Sequence, residues 1–157
     1  IPVSRPNPAS LGMNTVLFLC TGNYYRSRFA EELFNHGAAT AGLGWTARSR
    51  ALAIERGADN VGAVSPLALR ALQTRGVVPR GRGRMPLACT PADLDAADMI
   101  VALSEVEHRR LMQERFARWE SRTVYWQVED IGFTPADVAL ALIERQVEAM
   151  LAALRSA

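Results

Sequence analysis

Two short runs, residues 16–20 (VLFLC) and 99–103 (MIVAL), contain no charged or hydroxyl side chain. A strand with one face in water alternates polar and apolar residues. A strand without that alternation must be buried on both faces, as in a parallel sheet sandwiched between helices. Segments of helical period surround these runs. After Arg26, the apolar residues Phe29, Ala30, Leu33 and Phe34 fall on one face, with Glu31 and Glu32 off it. Residues 45–54 and 123–128 supply two weaker strands. Ser65-Pro66 reads as the start of a helix and Gly76 as its stop; Ser104-x-x-Glu107 reads as a capping box. The string TPAD at 90–93 and 134–137 reads as one capping solution used twice, the second opening a last helix with an apolar stripe from Val138 to Leu154. Residues 76–88, with three arginines, two prolines and no periodicity, read as loop.

The fold class that follows is α/β: a four-stranded parallel sheet flanked by helices on both faces, Rossmann-like in its winding. Residues 13–157 read as a single domain of ordinary size, and 1–12 as a tag remnant or disordered arm with Met13 a natural start. A formal charge of +2 is too small to argue for nucleic acid, and no apolar run reaches membrane-spanning length. All 18 basic residues are Arg, so every basic contact is a planar, permanently charged fork. Two cysteines, Cys20 and Cys89, are too few for a disulfide framework and fit free thiols in the cytoplasm. His36 and His108 have no metal-ligand spacing and read as surface residues. No metal or cofactor is called for.

In a parallel sheet, ligands bind beyond the carboxyl ends of the strands. The first such loop reads CTGNYYRS, residues 20–27. It lies between a buried strand and a helix, where backbone N–H groups point at an anion. Thr21, Gly22, Asn23, Tyr24 and Tyr25 supply those donors, Gly22 easing a tight turn and Asn23 tolerating the left-handed conformation. Arg26 can clamp two phosphoryl oxygens. The same positive field favours a thiolate at Cys20, toward which Ser27 can donate while also serving as a helix cap. A thiolate on the floor of a phosphate cradle is placed for in-line attack and a phosphocysteine intermediate. The leaving oxygen then needs a proton donor at the same sheet edge. Residues 128–133 (VEDIGF) offer Asp130 or Glu129. Tyr24 and Tyr25 either line an aryl-phosphate slot or pack internally.

The stretch VLFLCTGNYYRSRFAEELF, with the late Asp130, resembles the low-molecular-weight protein tyrosine phosphatase family. The resemblance runs from about Met13 to the C-terminus. It implies Cys20 as nucleophile, Arg26 as phosphate clamp, Asn23 as loop-shaping residue, Ser27 as the thiolate's partner, Asp130 as general acid and base, and Ser49 as support for Asn23. Ile131 and Gly132 stand where the family has proline and an aromatic, with Phe133 a substitute pocket wall. Tyr25 stands where many members carry a second cysteine. The GRGRMPL stretch lacks the family's histidine, leaving Arg84 as the nearest replacement. The expected substrate is a phosphotyrosine protein or small aryl phosphate, handled by a monomer or weak dimer with no nucleic-acid or membrane partner. Two other functions compete: thiol-dependent arsenate reduction, for which Cys89 alone is available as a further thiol, and a phosphate- or phosphoprotein-binding module with weak turnover.

Overall fold

The structure is a computed structural model and describes residues 13–157, so the reading of residues 1–12 lies outside the described residues. Strands β1 (Asn14–Cys20), β2 (Trp45–Ala51), β3 (Met99–Ala102) and β4 (Val124–Tyr125) form one sheet in the order β2-β1-β3-β4, all pairs parallel. Helices α1 (Arg26–Ala41), α2 (Pro66–Thr74), α3 (Pro91–Ala96), α4 (Glu105–Arg115), α5 (Ala117–Glu120) and α6 (Ala136–Arg155) complete it.

The unalternating β1 run is explained by two cores. Val16, Phe18 and Cys20 face a cluster with Phe29, Phe34, Ile143 and Val147 from α1 and α6. Leu17 and Leu19 face the other cluster, with Leu94, Ile100, Leu111 and Trp119. Each fully buried side chain of this kind contributes about 1.5–3 kcal/mol of transfer free energy. Because the strand period is 2, a one-residue slip of β1 would exchange the two sets.

Several expectations shift. The second strand stops at Ala51, where pairing with β1 ends at Cys20, and a 3-10 turn follows at Ile54–Gly57. The fourth strand is two residues long, although Trp126 N–H and Val128 N–H still donate to Ala102 and Leu103 carbonyls and carry the chain to the sheet edge. Trp45 and Trp126 are buried, and Trp126 packs against Phe18. The two TPAD strings differ: Thr90 and Asp93 form a full capping box, whereas α6 begins with Pro135 as its N-cap and no side-chain cap. Gly76 does end α2, adopting φ 71°.

Residues 76–88 are loop, but not a loosely solvated one. Arg28 on α1 donates to the Gly81 and Arg84 carbonyls at 2.8 Å each. Glu32, one turn later, accepts from the Arg80 and Gly81 N–H groups at 2.9 Å. Glu32, expected off the apolar face, is buried beneath this loop with Arg28. One cation and one anion thus hold four backbone polar groups of the 80–84 turn from below.

Candidate active site

The Cys20 loop leaves β1 and enters α1 in six residues. Its sharp turn is made by Asn23, with φ 53°, the one non-glycine residue of positive φ among the described residues. Gly22 has no positive φ, so the turning expected of it falls to Asn23. The left-handed conformation costs about 1 kcal/mol or more for a residue with a Cβ. Here the Asn23 side chain holds it by using its whole hydrogen-bonding capacity. Nδ2 donates to Ser27 Oγ and Ser49 Oγ, both at 2.9 Å. Oδ1 accepts from Arg84 Nη1 and the Leu87 N–H, both at 3.1 Å. Arg84 also reaches Ser49 Oγ and Glu31, so the arginine stands in the support network where a histidine was missing from the sequence.

Asn23 ties its own loop to α1, β2 and the 76–88 loop, and this fixes Ser27. The Ser27 oxygen accepts from Asn23, and Cys20 Sγ lies 2.9 Å away. Its hydroxyl proton is thereby free to point at a thiolate. Directly after that cysteine, none of the backbone N–H groups of Thr21 to Tyr25 donates to a protein group among the described residues. Successive unpaired donors in a turn that leads into a helix N-terminus are the makings of an anion nest.

Arg26 is buried and divided between two tasks. Its end-on fork grips Glu107, Nη1 to Oε1 at 3.2 Å and Nη2 to Oε2 at 2.8 Å, and Nη1 also donates to the Val128 carbonyl at 2.9 Å. Nη1 is then saturated. The side edge, Nε and the second Nη2 proton, is left for two oxygens of an anion.

Glu107 and His108 were legible only as a capping-box member and a surface residue. The structure corrects both. His108 is fully buried, and its Nδ1 accepts the Ser104 N–H at 3.0 Å, the bond a capping-box glutamate would have taken. Ser104 Oγ still caps the Glu107 N–H at 3.4 Å. With Nδ1 accepting, the neutral ring carries its proton on Nε2, 3.1 Å from Glu107 Oε2. Thr21 Oγ1 donates to the same oxygen. The Thr21 side chain therefore faces away from the nest, which receives only its N–H. Burial works against the Glu107 charge, but hydrogen bonds from His108 and Arg26 outweigh it and hold the carboxyl well below the usual carboxylate range. Burial lowers the basicity of His108, more than Glu107 restores it.

Across the loop, Asp130 Oδ2 lies 3.8 Å from Arg26 Nη2, with the side chain 47% exposed. Its Oδ1 accepts the Ile131 N–H at 2.9 Å, and its carbonyl accepts from Phe133 and Thr134. Glu129 is exposed and does not line the cleft. Phe133, the expected substitute wall, points to solvent at 81% exposure; Ile131 lines the cleft instead.

The cleft has a volume of about 270 Å³, with Cys20 and Arg26 at its floor and Tyr24, Tyr25, Leu67, Asp130 and Ile131 on its walls. Both tyrosines therefore line the cleft. Tyr24 Oη donates to the Val61 carbonyl at 2.6 Å, tying the wall to the 60–65 segment. Tyr25 Oη is buried without a hydrogen-bond partner among the described residues, and burial followed by the nearby Asp130 charge pushes its phenol up. Cys89 lies in the opposite core cluster, outside the cleft, and burial pushes its thiol up to about 12. His36 is exposed, as expected. No helix among the described residues is long and apolar enough to cross a membrane.

Comparison with known proteins agrees with this geometry. The protein-arginine-phosphatase of Bacillus subtilis is 27% identical over 107 residues, 68% of this chain. That match covers 66% of the relative, just under two thirds of its length. The crystal structure of YfkJ from Bacillus subtilis superposes with a TM-score of 0.77 at 25% identity, over 92% of this chain and 96% of that one. Wzb of Vibrio vulnificus, in complex with benzylphosphonate, gives 0.74 at 17% identity, over 89% of this chain and 98% of that one. The family model for low molecular weight phosphotyrosine protein phosphatase matches residues 15–156. With the match running through the nest, its support network and the Asp130 turn, the chain belongs to the low molecular weight phosphotyrosine protein phosphatase family.

Proposed function

We propose that this protein hydrolyses aryl phosphate esters, phosphotyrosine foremost, through a phosphocysteine. The observation that carries the reading is the run of five successive backbone N–H groups, Thr21 to Tyr25, that follows Cys20 directly and has no protein acceptor among the described residues, beside an Arg26 whose Nε is likewise unused. A dianionic phosphoryl group taken up by those donors sits with its phosphorus over the sulfur. The thiolate attacks phosphorus in line as the P–O bond to the leaving group breaks, and Asp130 gives its proton to the departing oxygen. Ionised Asp130 then takes a proton from water, which attacks phosphorus and breaks the P–S bond. Phosphate leaves and the thiolate returns. The nest and Arg26 stabilise charge on the equatorial oxygens in both steps.

The substrate reading rests on the walls. Tyr24, Tyr25, Leu67 and Ile131 give an apolar slot with one carboxylate, which suits a neutral aromatic ring. A second reading, N-phosphoarginine, is supported by the relative named as a protein-arginine-phosphatase. Arsenate reduction by a thiol relay within the chain is disfavoured, because Cys89 lies in the other core. The free thiols suit action in the reducing cytoplasm.

The test is phosphate release from p-nitrophenyl phosphate, a phosphotyrosine peptide and a phosphoarginine peptide. We expect the aryl substrates to be preferred and Cys20→Ser to lose at least about 10³-fold on all of them. Undiminished turnover by Cys20→Ser would remove the nucleophile. A phosphoarginine preference would leave the chemistry standing and replace the substrate.

A further inference from the structure

The turn at 80–84 presents Arg84 to the Asn23 network but takes no direct part in the reactions above, and two buried charged side chains hold it. Arg28 is 1% exposed and Glu32 6% exposed; Glu32 spends its hydrogen bonds on the turn's backbone, and Arg28 divides its own between the turn and the Asn23 and Ala63 carbonyls. Such support fixes where the turn points its own side chains. Arg84 points inward to the Asn23 network. Arg80 and Arg82 are exposed. Neither has an ion-pair or hydrogen-bond partner for its guanidinium among the described residues.

Between this turn and α2 runs a groove of about 570 Å³. Pro66, Leu69 and Arg70 form one bank; Val78, Pro79 and Arg82 form the other. None of its lining residues is acidic. Arg70 is exposed and likewise unpaired among the described residues. Val78 is a β-branched apolar residue left 84% exposed. The groove and the cleft both draw on the start of α2: Ser65 and Leu67 line the cleft, and Pro66 between them lines the groove. From Pro66 to Gln73 the α2 axis advances ~10 Å at 1.5 Å per residue. Three residues of extended peptide cover that distance at about 3.4 Å each.

We propose that this groove receives the flank of the phosphorylated substrate, an extended peptide segment carrying Asp or Glu two to four residues from the phosphorylated side chain. The inference builds on the phosphatase reading of the cleft and names the protein substrate class it selects. Charge complementarity is what commits the occupant. The walls offer two unpaired guanidinium groups, an apolar strip for aliphatic stems, and no carboxylate to repel an acidic chain.

The test compares phosphotyrosine peptides with Glu, Ala or Arg at the second to fourth positions on either side, using p-nitrophenyl phosphate as the substrate too small to reach the groove. We expect the Glu peptide to show a KM roughly 3- to 10-fold below the Ala peptide, the scale of two exposed ion pairs. The advantage should disappear at about 0.5 M salt, where screening is short-ranged. Arg70→Glu with Arg82→Glu should abolish or reverse the preference and leave p-nitrophenyl phosphate turnover unchanged. Equal KM values for Glu and Ala peptides overturn the proposal. So does a salt-sensitive preference that survives the double substitution. If the groove instead seats a second copy of the chain, light scattering will show a dimer that the double substitution dissociates, with no peptide preference. If it seats an anionic membrane, phosphatidylserine vesicles will sediment the wild type alone, and either result also overturns it. Absence of turnover on every substrate would count against the cleft reading; anisotropy of the same labelled peptides on the Cys20→Ser protein then decides the groove separately.

Discussion

The two loops that meet at the cleft are built in opposite ways. In residues 20–27 the polar side chains Asn23, Arg26 and Ser27 are buried, and each is held by at least two partners from other parts of the chain or loop. In the 128–134 turn, Val128 is anchored by Leu103 and Arg26, but beyond it Asp130 and Ile131 are about half exposed, and the hydrogen bonds that shape the turn are accepted by Asp130 itself, through its carboxylate and its carbonyl. The difference suits the tasks proposed for them. Charge stabilisation works through donors that need not reorganise, which a loop fixed in advance provides. A proton donor must admit substrate, give up a proton and then admit water, which a lightly held turn allows. On that reading, disturbing the rigid loop should cost folding, and disturbing the light one should cost turnover alone.

Asp130→Asn separates the two most sharply. We expect kcat on a phosphotyrosine peptide to fall by about 10²–10⁴-fold, the usual worth of a positioned acid. Stability should change by less than about 0.5 kcal/mol, because the residue is half exposed and its contact with Arg26 is long. The loss should be smaller on p-nitrophenyl phosphate, whose leaving group needs less protonation. Rate measurements on both substrates, with a urea melt, check this. A marked loss of stability would mean that the turn is structural after all.

Asn23→Ala is the converse. It strands polar partners on Ser27, Ser49, Arg84 and Leu87, and leaves an alanine at positive φ. Each stranded buried group costs about 1–3 kcal/mol, partly relieved by rearrangement, so a net loss of about 2–4 kcal/mol is expected. Turnover should fall in parallel on good and poor leaving groups alike, since the nest serves both.

Glu107→Gln tests whether Arg26 is aimed or merely present. Glutamine keeps the shape but lacks the charge, so the end-on fork loosens while Arg26 stays in place. About a 10-fold loss in kcat/KM is expected, roughly 1.4 kcal/mol, with orthovanadate binding weakened to match. Glu107→Ala should be worse than Glu107→Gln by both measures. Equal vanadate affinity in wild type and both variants would reduce Glu107 to a structural partner.

How much of this was legible in the sequence depended on the range of the interaction. The unalternating runs at 16–20 and 99–103 announced strands buried on both faces, because their hydrophobicity is local. Asn23, Ser27, Ser49 and Arg84 emerged from motif and resemblance, and their side chains do meet. Glu107 and His108 were misplaced because Ser104-x-x-Glu107 satisfies a local capping rule. The rule lost to a tertiary competitor: Arg26, 81 residues away, takes the glutamate, and His108 takes over the cap. The short β4 was misjudged for a related reason, since its pairing passes into single bonds and an isolated bridge to Ser104 rather than a continued ladder.

The smallest effect concerns pH. Neutral His108 is part of the folded site, and its basicity in the fold is below that of an ordinary histidine. In the unfolded chain it titrates near ~6.5. As pH falls through that value, the unfolded state gains a proton that the folded state refuses, so stability drops with acidification. Glu107 acts in the same direction lower down: its carboxyl is depressed in the fold, so its contribution is full above the unfolded value of about 4.3 and is lost as pH falls below it. His108→Gln can still accept the Ser104 N–H and does not titrate. Urea melts at pH 7.5 and 5.5 should show a steeper fall for the wild type than for this variant, by no more than one proton's worth, about 1.4 kcal/mol per pH unit. The nest's support would then carry a pH sensitivity of folding of its own. Parallel slopes in wild type and His108→Gln would mean that the buried ring titrates as it does in the unfolded chain, and the rigid side of the comparison would lose its electrostatic part.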